Sequence, residues 1–161
     1  MVDVHTPEKR SFNMSRIKSR NTLPEMKVRK IIHGLGYRYS LHKKALPGKP
    51  DIVLVRHRKI IEVHGCFFHM HNCANGNKVP AQNADFWKAK RLSNVARDHR
   101  NLKALRRDGW RVMIVWECET RNLPKLSKRI ERFLASGVRA ATSRRIPKRR
   151  QVSALQISVA R

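Results

Sequence analysis

Residues 64–73 read HGCFFHMHNC, and no other run constrains the chain so tightly. It holds Cys66 and Cys73, two of the three cysteines, together with His64, His69 and His71. The third cysteine, Cys118, follows an apolar stretch that ends at Trp116. A structural zinc site takes four Cys or His ligands in a closed tetrahedron, and three cysteines with one histidine would use every cysteine available. The residue types leave the fourth ligand open between His69 and His71. The competing interpretation is three reduced core cysteines beside surface histidines. Four ligand-type residues within eight positions, 66 to 73, favour zinc over it. A histidine left over beside a metal-bound phosphate would be a candidate general base. An odd cysteine count with no signal-peptide pattern argues against a secreted disulfide framework.

The second constraint is charge. Lys and Arg number 37 against 11 acids, a net charge of +26, which implies a polyanionic partner. Nucleic acid is the favoured class over ribosomal, membrane-surface and heparin-type binding. The charge is not confined to one end. Residues 138–161 carry seven basic residues and no acid, which leaves +19 over residues 1–137. No apolar run approaches the ~20 residues of a membrane span, so a soluble cytoplasmic protein associated with the nucleoid is expected.

Element signals alternate along the chain. Thr6-Pro7-Glu8 opens a short basic arm or helix over 6–18. Thr22-Leu23-Pro24-Glu25 fits a capping box, and Met26, Val28, Ile31, Ile32 and Leu35 follow at helical spacing up to Gly36. Strands are expected at 37–41, 51–55, 59–64 and 110–116, with a turn at 46–50 and a tight turn at 57–58. Residues 65–84 lack periodicity and read as a functional loop. Helices are expected at 86–107 and 123–135, and weak alternation marks 152–159. The order predicts an α/β or α+β domain whose mixed sheet is flanked by helices.

Pro50-Asp51 opens one expected strand, and Glu62-Val63-His64 lies on the next. Glu62 and His64 share a face because strand side chains alternate. The pattern P-D-x10-E-x-H resembles the PD-(D/E)xK nucleases, with His in place of the usual Lys. Such carboxylates supply hard oxygen ligands for Mg²⁺, which polarises a phosphate and activates water. Asp51, Glu62 and the backbone carbonyl of Val63 are the candidate ligands. The bland alternative makes Asp51 a turn cap and Glu62 a solvated strand residue. Two acids converging in so basic a chain weigh against that.

HGCFFHMHNC, preceded by LPGKPDIV and followed by GWRVMIVWEC, resembles the very-short-patch repair (Vsr) DNA mismatch endonucleases. The resemblance extends over about residues 3–135 and takes in TPEKRSFNMSRIKSRNT, KVP at 78–80 and Phe86-Trp87. It implies a PD-(D/E)xK-like fold with one structural zinc, and nicking of one strand 5′ of the thymine in a T·G mismatch left by 5-methylcytosine deamination. It implies Mg²⁺ on Asp51 and the Val63 carbonyl, His69 as general base, His64 supporting the phosphate and Glu25 in the outer shell. It selects Cys66, His71, Cys73 and Cys118 as the zinc ligands and places Asp98 where a carboxylate orients His69. Phe67, Phe68 and Trp87 are implied to wedge into DNA, with Met14 entering from the opposite groove and Asn94 at the mismatch. Inserted apolar side chains unstack a base step, and a mismatched step costs less to open.

Three departures stand out. Phe68 replaces the family's usual Trp, Glu62 occupies an ordinarily apolar position, and Val63 replaces a Thr. The organisation expected is a DNA-contacting basic arm over 1–21, an endonuclease domain over 22–137 and a mobile basic tail over 138–161. A monomer on double-stranded DNA, working with mismatch-repair proteins and away from membranes, is expected. Two rivals are a restriction-type nuclease that cuts paired duplex and a zinc-stabilised DNA-binding protein without catalysis.

Overall fold

The computed structural model describes residues 20–137, together with Lys9 and Phe12, both helical. The rest of the arm, Met14 included, and residues 138–161 with the alternation at 152–159 lie outside the described residues. The elements run α1 (Leu23–Gly34), β1 (Ser40–Leu41), β2 (Ile52–Leu54), β3 (Lys59–His64), α2 (Ala84–Arg107), β4 (Arg111–Trp116) and α3 (Leu123–Ala135). One four-stranded sheet has the order β1-β2-β3-β4. β1 and β2, and β2 and β3, pair antiparallel, whereas β3 and β4 pair parallel. The parallel pair requires a long crossover, and α2 supplies it.

The side-chain period of two divides β2, β3 and β4 between the faces of this sheet. Ile52, Leu54, Ile61, Met113 and Val115 face α1 and α3 and form the larger core with Val28, Ile32, Leu126, Ile130 and Leu134. Val53 and Ile60 face the other way and pack with Leu105 of α2 and with Trp110. β3 is covered on both faces, and its polar residues Lys59, Glu62 and His64 are buried along with Ile60 and Ile61. Its opposite-parity residues Glu62 and His64 therefore lie on the α2 side, beyond the smaller core.

The caps follow the sequence signals in part. Thr22 Oγ1 accepts the Glu25 N–H at 3.4 Å, half of the expected capping box. The Glu25 carboxylate does not return to Thr22. It turns inward to Arg29 at 3.0 Å and His42 at 3.3 Å. α1 closes through Leu35, and Gly36 follows at φ +83°, a left-handed exit that suits glycine. β1 is shorter than expected because Tyr37 and Tyr39 pack against the larger core instead of extending the ladder. A single 3-10 turn at Val55–His57 and left-handed Arg58 make the turn expected at 57–58. Among the described residues, no helix is long and apolar enough to cross a membrane.

Lys59 begins β3 and is 1 % exposed. Its ammonium donates to the carbonyls of Leu134 at 2.6 Å and Ser136 at 2.8 Å. These are orphan carbonyls at the end of α3, so a buried cation caps that helix and ties it to the sheet. Lys59→Met keeps the aliphatic stem but strands the Leu134 carbonyl, while Ser136 keeps the Arg111 guanidinium at 2.9 Å, and is expected to cost about 1–3 kcal/mol. Thermal unfolding followed by circular dichroism measures this, and an unchanged melting temperature would refute the cap.

Candidate active site and metal-ligand cluster

β3 and β4 end in register, with His64 opposite Trp116. Two residues further along each chain stand Cys66 and Cys118, so the parallel pairing brings together cysteines far apart in sequence. The loop after β3 then turns back. His71 N–H donates to the Cys66 carbonyl at 3.0 Å, and Met70 takes a left-handed φ of +53° to permit it. The ligand atoms of Cys66, His71, Cys73 and Cys118 all lie within 4.8 Å of one another. Backbone N–H groups point at the sulfurs, Cys118 to Cys66 at 3.4 Å and Gly76 to Cys73 at 3.4 Å. Burial pushes the Cys66 thiol up to about 12. The Gly76 N–H, aided by His71, draws Cys73 down to about 6. Three sulfurs and one imidazole in a closed cluster fit a structural zinc. His69 is not in this cluster.

His69 instead pairs with Asp98 of α2, Nδ1 to Oδ2 at 2.5 Å. Burial would raise Asp98, but the His69 hydrogen bond, with the charges of His69, His64 and Arg97, holds its carboxyl below the ordinary range. Orientation by the carboxylate leaves Nε2 as the nitrogen available to chemistry. The His69 ring stacks on His64 with centroids 4.1 Å apart. His64 has its own carboxylate, Glu62, 3.0 Å from Nε2. Trp116 meets His64 edge-on at 5.4 Å and stacks on His71 at 4.2 Å. A continuous run of rings thus joins His69 to the cysteine cluster.

Asp51 sits just before β2. Its Oδ2 accepts the Val63 N–H at 2.8 Å, which ties it to β3. Burial raises its carboxyl above the ordinary value, and the negative charges of Glu25 and Glu62 add to that against the Val63 bond and His42. Glu62 is therefore an electrostatic neighbour of Asp51 while its own carboxylate engages His64. The groups that share ligand spacing with Asp51 are Glu25 and His42. Three acids at one spot in a chain of +26 leave local negative charge that a divalent cation would neutralise.

Beside His69 and Val63 opens a cleft of about 620 Å³, also lined by Phe67, Phe68, Asn94 and Lys78 among others. The Phe67, Phe68 and Trp87 rings form one partly buried cluster, with Phe67 at 5.3 Å from Phe68 and 5.5 Å from Trp87. Phe86 extends it from beside Trp87 and is exposed. Asn94 is buried and donates to the Phe68 carbonyl at 3.2 Å.

Sequence reasoning missed two residues. Arg91 of α2 is buried and donates to the carbonyls of Phe67 at 2.8 Å, Lys78 at 3.1 Å and Gly76. Its guanidinium also lies 4.7 Å from the Phe67 ring centroid. One fork thereby clamps both limbs of the 67–78 loop. His42 is the other, bridging Glu25 and Asp51. Arg91 sits among many arginines and has no distinguishing pattern. His42 had one available signal, a histidine preceding the turn that leads into Pro50-Asp51.

A carboxylate group that asks for a cation, a histidine oriented by its own acid and a basic exterior suit the hydrolysis of a polyanionic backbone. The class so defined is that of the DNA endonucleases. More particularly, the chain belongs to the Vsr DNA mismatch endonuclease family, whose model, described as DNA mismatch endonuclease Vsr, matches residues 2–75. It is 45% identical over 134 residues to type II nicking enzyme V.XorIIP of Xanthomonas oryzae pv. oryzae, covering 83% of this chain and 98% of that protein. It is 42% identical over 127 residues to DNA mismatch endonuclease Vsr of Escherichia coli, covering 79% and 81% respectively. Among solved structures, the catalytic domain of homing endonuclease I-Bth0305I matches with a TM-score of 0.49 and 22% identity, over 70% of this chain and 94% of that one.

Gly76 is the tightest point of the cysteine loop. A Cβ there would stand 1.8 Å from the His71 carbonyl oxygen, backbone that cannot swing aside. Gly76→Ala is therefore expected to open the loop, lower the metal content of the purified protein well below that of wild type and reduce the melting temperature by several degrees. Elemental analysis and thermal unfolding of the purified variant check both. Full metal content with normal melting would contradict the geometry.

Proposed function

We propose that this protein is a magnesium-dependent endonuclease that nicks one DNA strand 5′ of the thymine in a T·G mismatch, so initiating very short patch repair. The observation that carries the proposal is the oriented His69–Asp98 pair opening into the same cleft as Val63 and the Phe67–Phe68 rings. Asp51 and the Val63 carbonyl would hold Mg²⁺, with Glu62 adjacent and Glu25 in the outer shell. Bound there, the ion would polarise the scissile phosphate and lower the pKa of a water. His69 takes the proton of the attacking water on Nε2, and Asp98 stabilises the charge that develops on the ring. His64, held by Glu62, supports the phosphate. Cys66, His71, Cys73 and Cys118 would hold zinc, which fixes the base of the loop bearing His69.

Selectivity is assigned to the aromatic cluster. Phe67, Phe68 and Trp87 wedge beside the mismatch, with Asn94 at the mismatched pair and Met14 entering from the other groove. Asn94 also holds the Phe68 carbonyl, so it supports the wedge it stands behind. The protein acts as a monomer on duplex DNA at the nucleoid, alongside mismatch-repair proteins. Basic residues on the exposed side of α2, among them Lys88, Arg97, Arg100 and Lys103, would supply phosphate contacts without base preference.

The direct test is cleavage of T·G and matched duplexes of one sequence, with and without magnesium. Nicking confined to T·G with magnesium is expected, and equal cutting of matched duplex would favour the restriction-type rival. Asp51→Asn should abolish nicking and leave DNA binding largely intact. A carboxyl whose pKa is raised on folding costs stability above its unfolded value, so removing its charge relieves that cost. The metal-free Asp51→Asn protein should therefore melt no lower than wild type, since the amide oxygen can still accept from Val63. Wild-type nicking by this variant would refute the assignment.

Stacking on bases is worth roughly 1–3 kcal/mol per base. Phe68→Ala should accordingly slow T·G nicking by roughly ten- to a hundredfold. If it melts several degrees lower yet nicks normally at low temperature, the ring is packing and not wedge.

A further inference from the structure

His42 lies directly after β1 in a left-handed conformation, φ +45°. Its N–H donates to the Asp51 carbonyl at 3.3 Å, which fixes its backbone against β2. The ring reaches between two acids. Nε2 stands 3.3 Å from Glu25 Oε1, and Nδ1 stands 3.7 Å from Asp51 Oδ1. One ligand atom from each of Glu25, His42 and Asp51 lies within 4.8 Å of the others.

Spacing alone does not make a site, but two atoms here lack partners. Glu25 is 3 % exposed, yet its buried Oε1 has no hydrogen bond, and neither has His42 Nε2. Their 3.3 Å contact is an ion-pair distance without hydrogen-bond alignment. The same holds for Arg29 Nη2, which approaches Oε1 to 3.0 Å. Buried polar atoms left in this way cost free energy unless something satisfies them. A divalent ion satisfies a carboxylate lone pair and an imidazole lone pair together. Cis ligands about 2.1 Å from an octahedral ion stand about 3.0 Å apart, and trans ligands about 4.2 Å. The 3.3 Å between His42 Nε2 and Glu25 Oε1 falls between those limits, and the Asp51 carboxylate completes a set whose ligand atoms lie within 4.8 Å of one another.

We infer that His42 contributes an imidazole nitrogen to the divalent-metal centre at Asp51, making it a mixed nitrogen–oxygen site that accepts Mg²⁺ but binds Mn²⁺-type ions more tightly. The inference rests on the proposed placement of the catalytic metal at Asp51 and adds a ligand and a preference to it. Mg²⁺ favours oxygen donors and its own waters, whereas imidazole suits later first-row ions. Glu25 becomes the second carboxylate of the centre, directly or through a bound water, with Arg29 balancing its charge. Glu62 remains with His64.

The test is metal binding to the full chain, purified with its cysteine cluster metal-loaded. Titration with Mn²⁺ and with Mg²⁺ is followed by calorimetry, and bound Mn²⁺ is characterised by electron paramagnetic resonance. Wild type should bind Mn²⁺ about tenfold more tightly than Mg²⁺ and show nitrogen hyperfine coupling. His42→Gln should lose that coupling and weaken Mn²⁺ by about tenfold while changing Mg²⁺ much less. Asp51→Ala should lose both ions. If Asp51→Ala binds both normally, the metal placement itself fails. If Asp51→Ala loses binding but wild-type Mn²⁺ shows no nitrogen coupling, the metal placement stands and His42 is not a ligand. Coupling that persists in His42→Gln would likewise exclude His42 as the nitrogen donor. The wild-type spectrum decides the question even where the variant folds poorly.

Discussion

The parallel pairing of β3 with β4, in the register that sets His64 beside Trp116, is the interaction on which the site depends. It places Cys66 and Cys118 together, and Glu117 Oε2 accepts the Cys66 N–H at 3.2 Å just beyond the pair. It also stacks Trp116 against a cluster histidine while its edge meets His64. A slip of one residue would reverse the faces of Ile61, Glu62, Val63 and His64 and bury the acid in the main core. Burial of β3 on both faces specifies the register strongly, and α2 returns the chain to the correct edge.

Charge acts on two scales. At long range a net charge of +26 draws a polyanion to the surface. Within the site, Glu25, Asp51, Glu62, Asp98 and Glu117 gather five of the chain's 11 acids near the start of β2 and the end of β3. Each has a specified counterpart, Arg29 and His42 for Glu25, the Val63 N–H for Asp51, His64 for Glu62, His69 for Asp98 and the Cys66 N–H for Glu117. Asp51 and Glu117 each rely on a single backbone donor, and at Asp51 burial and like charge leave the carboxyl raised. That raised carboxyl belongs to the residue to which both sequence pattern and family resemblance assign the metal.

What the sequence made legible follows from periodicity and ligand chemistry. β3 matches its expected limits, α2 starts two residues earlier than its apolar spacing suggests, and the mixed sheet follows from the element order. The choice of His71 over His69 needed more than residue type. It depends on the loop reversing at Met70, a left-handed step on a non-glycine residue that no local pattern marks. Arg91 was illegible for a related reason, because its partners are backbone carbonyls, and carbonyls look alike in every sequence. Glu62 was legible as an acid near Asp51 but not as a partner of His64, since both readings require the same strand face.

The ring run from His71 through Trp116 and His64 to His69 bears on how His69 keeps its orientation. Asp98 fixes one nitrogen, but a single hydrogen bond leaves the ring free to tilt about it. Stacking on His64 removes that freedom, and His64 is itself held by Glu62 on one side and by the edge of Trp116 on the other. Trp116 lies against the His71 ring, whose Nδ1 meets Cys118 Sγ at 3.5 Å. Orientation at His69 is thereby referred to the cysteine loop, through flat groups that resist tilting. The cysteine cluster therefore serves more than the stability of its own loop: its geometry reaches His69 by contact, ring against ring.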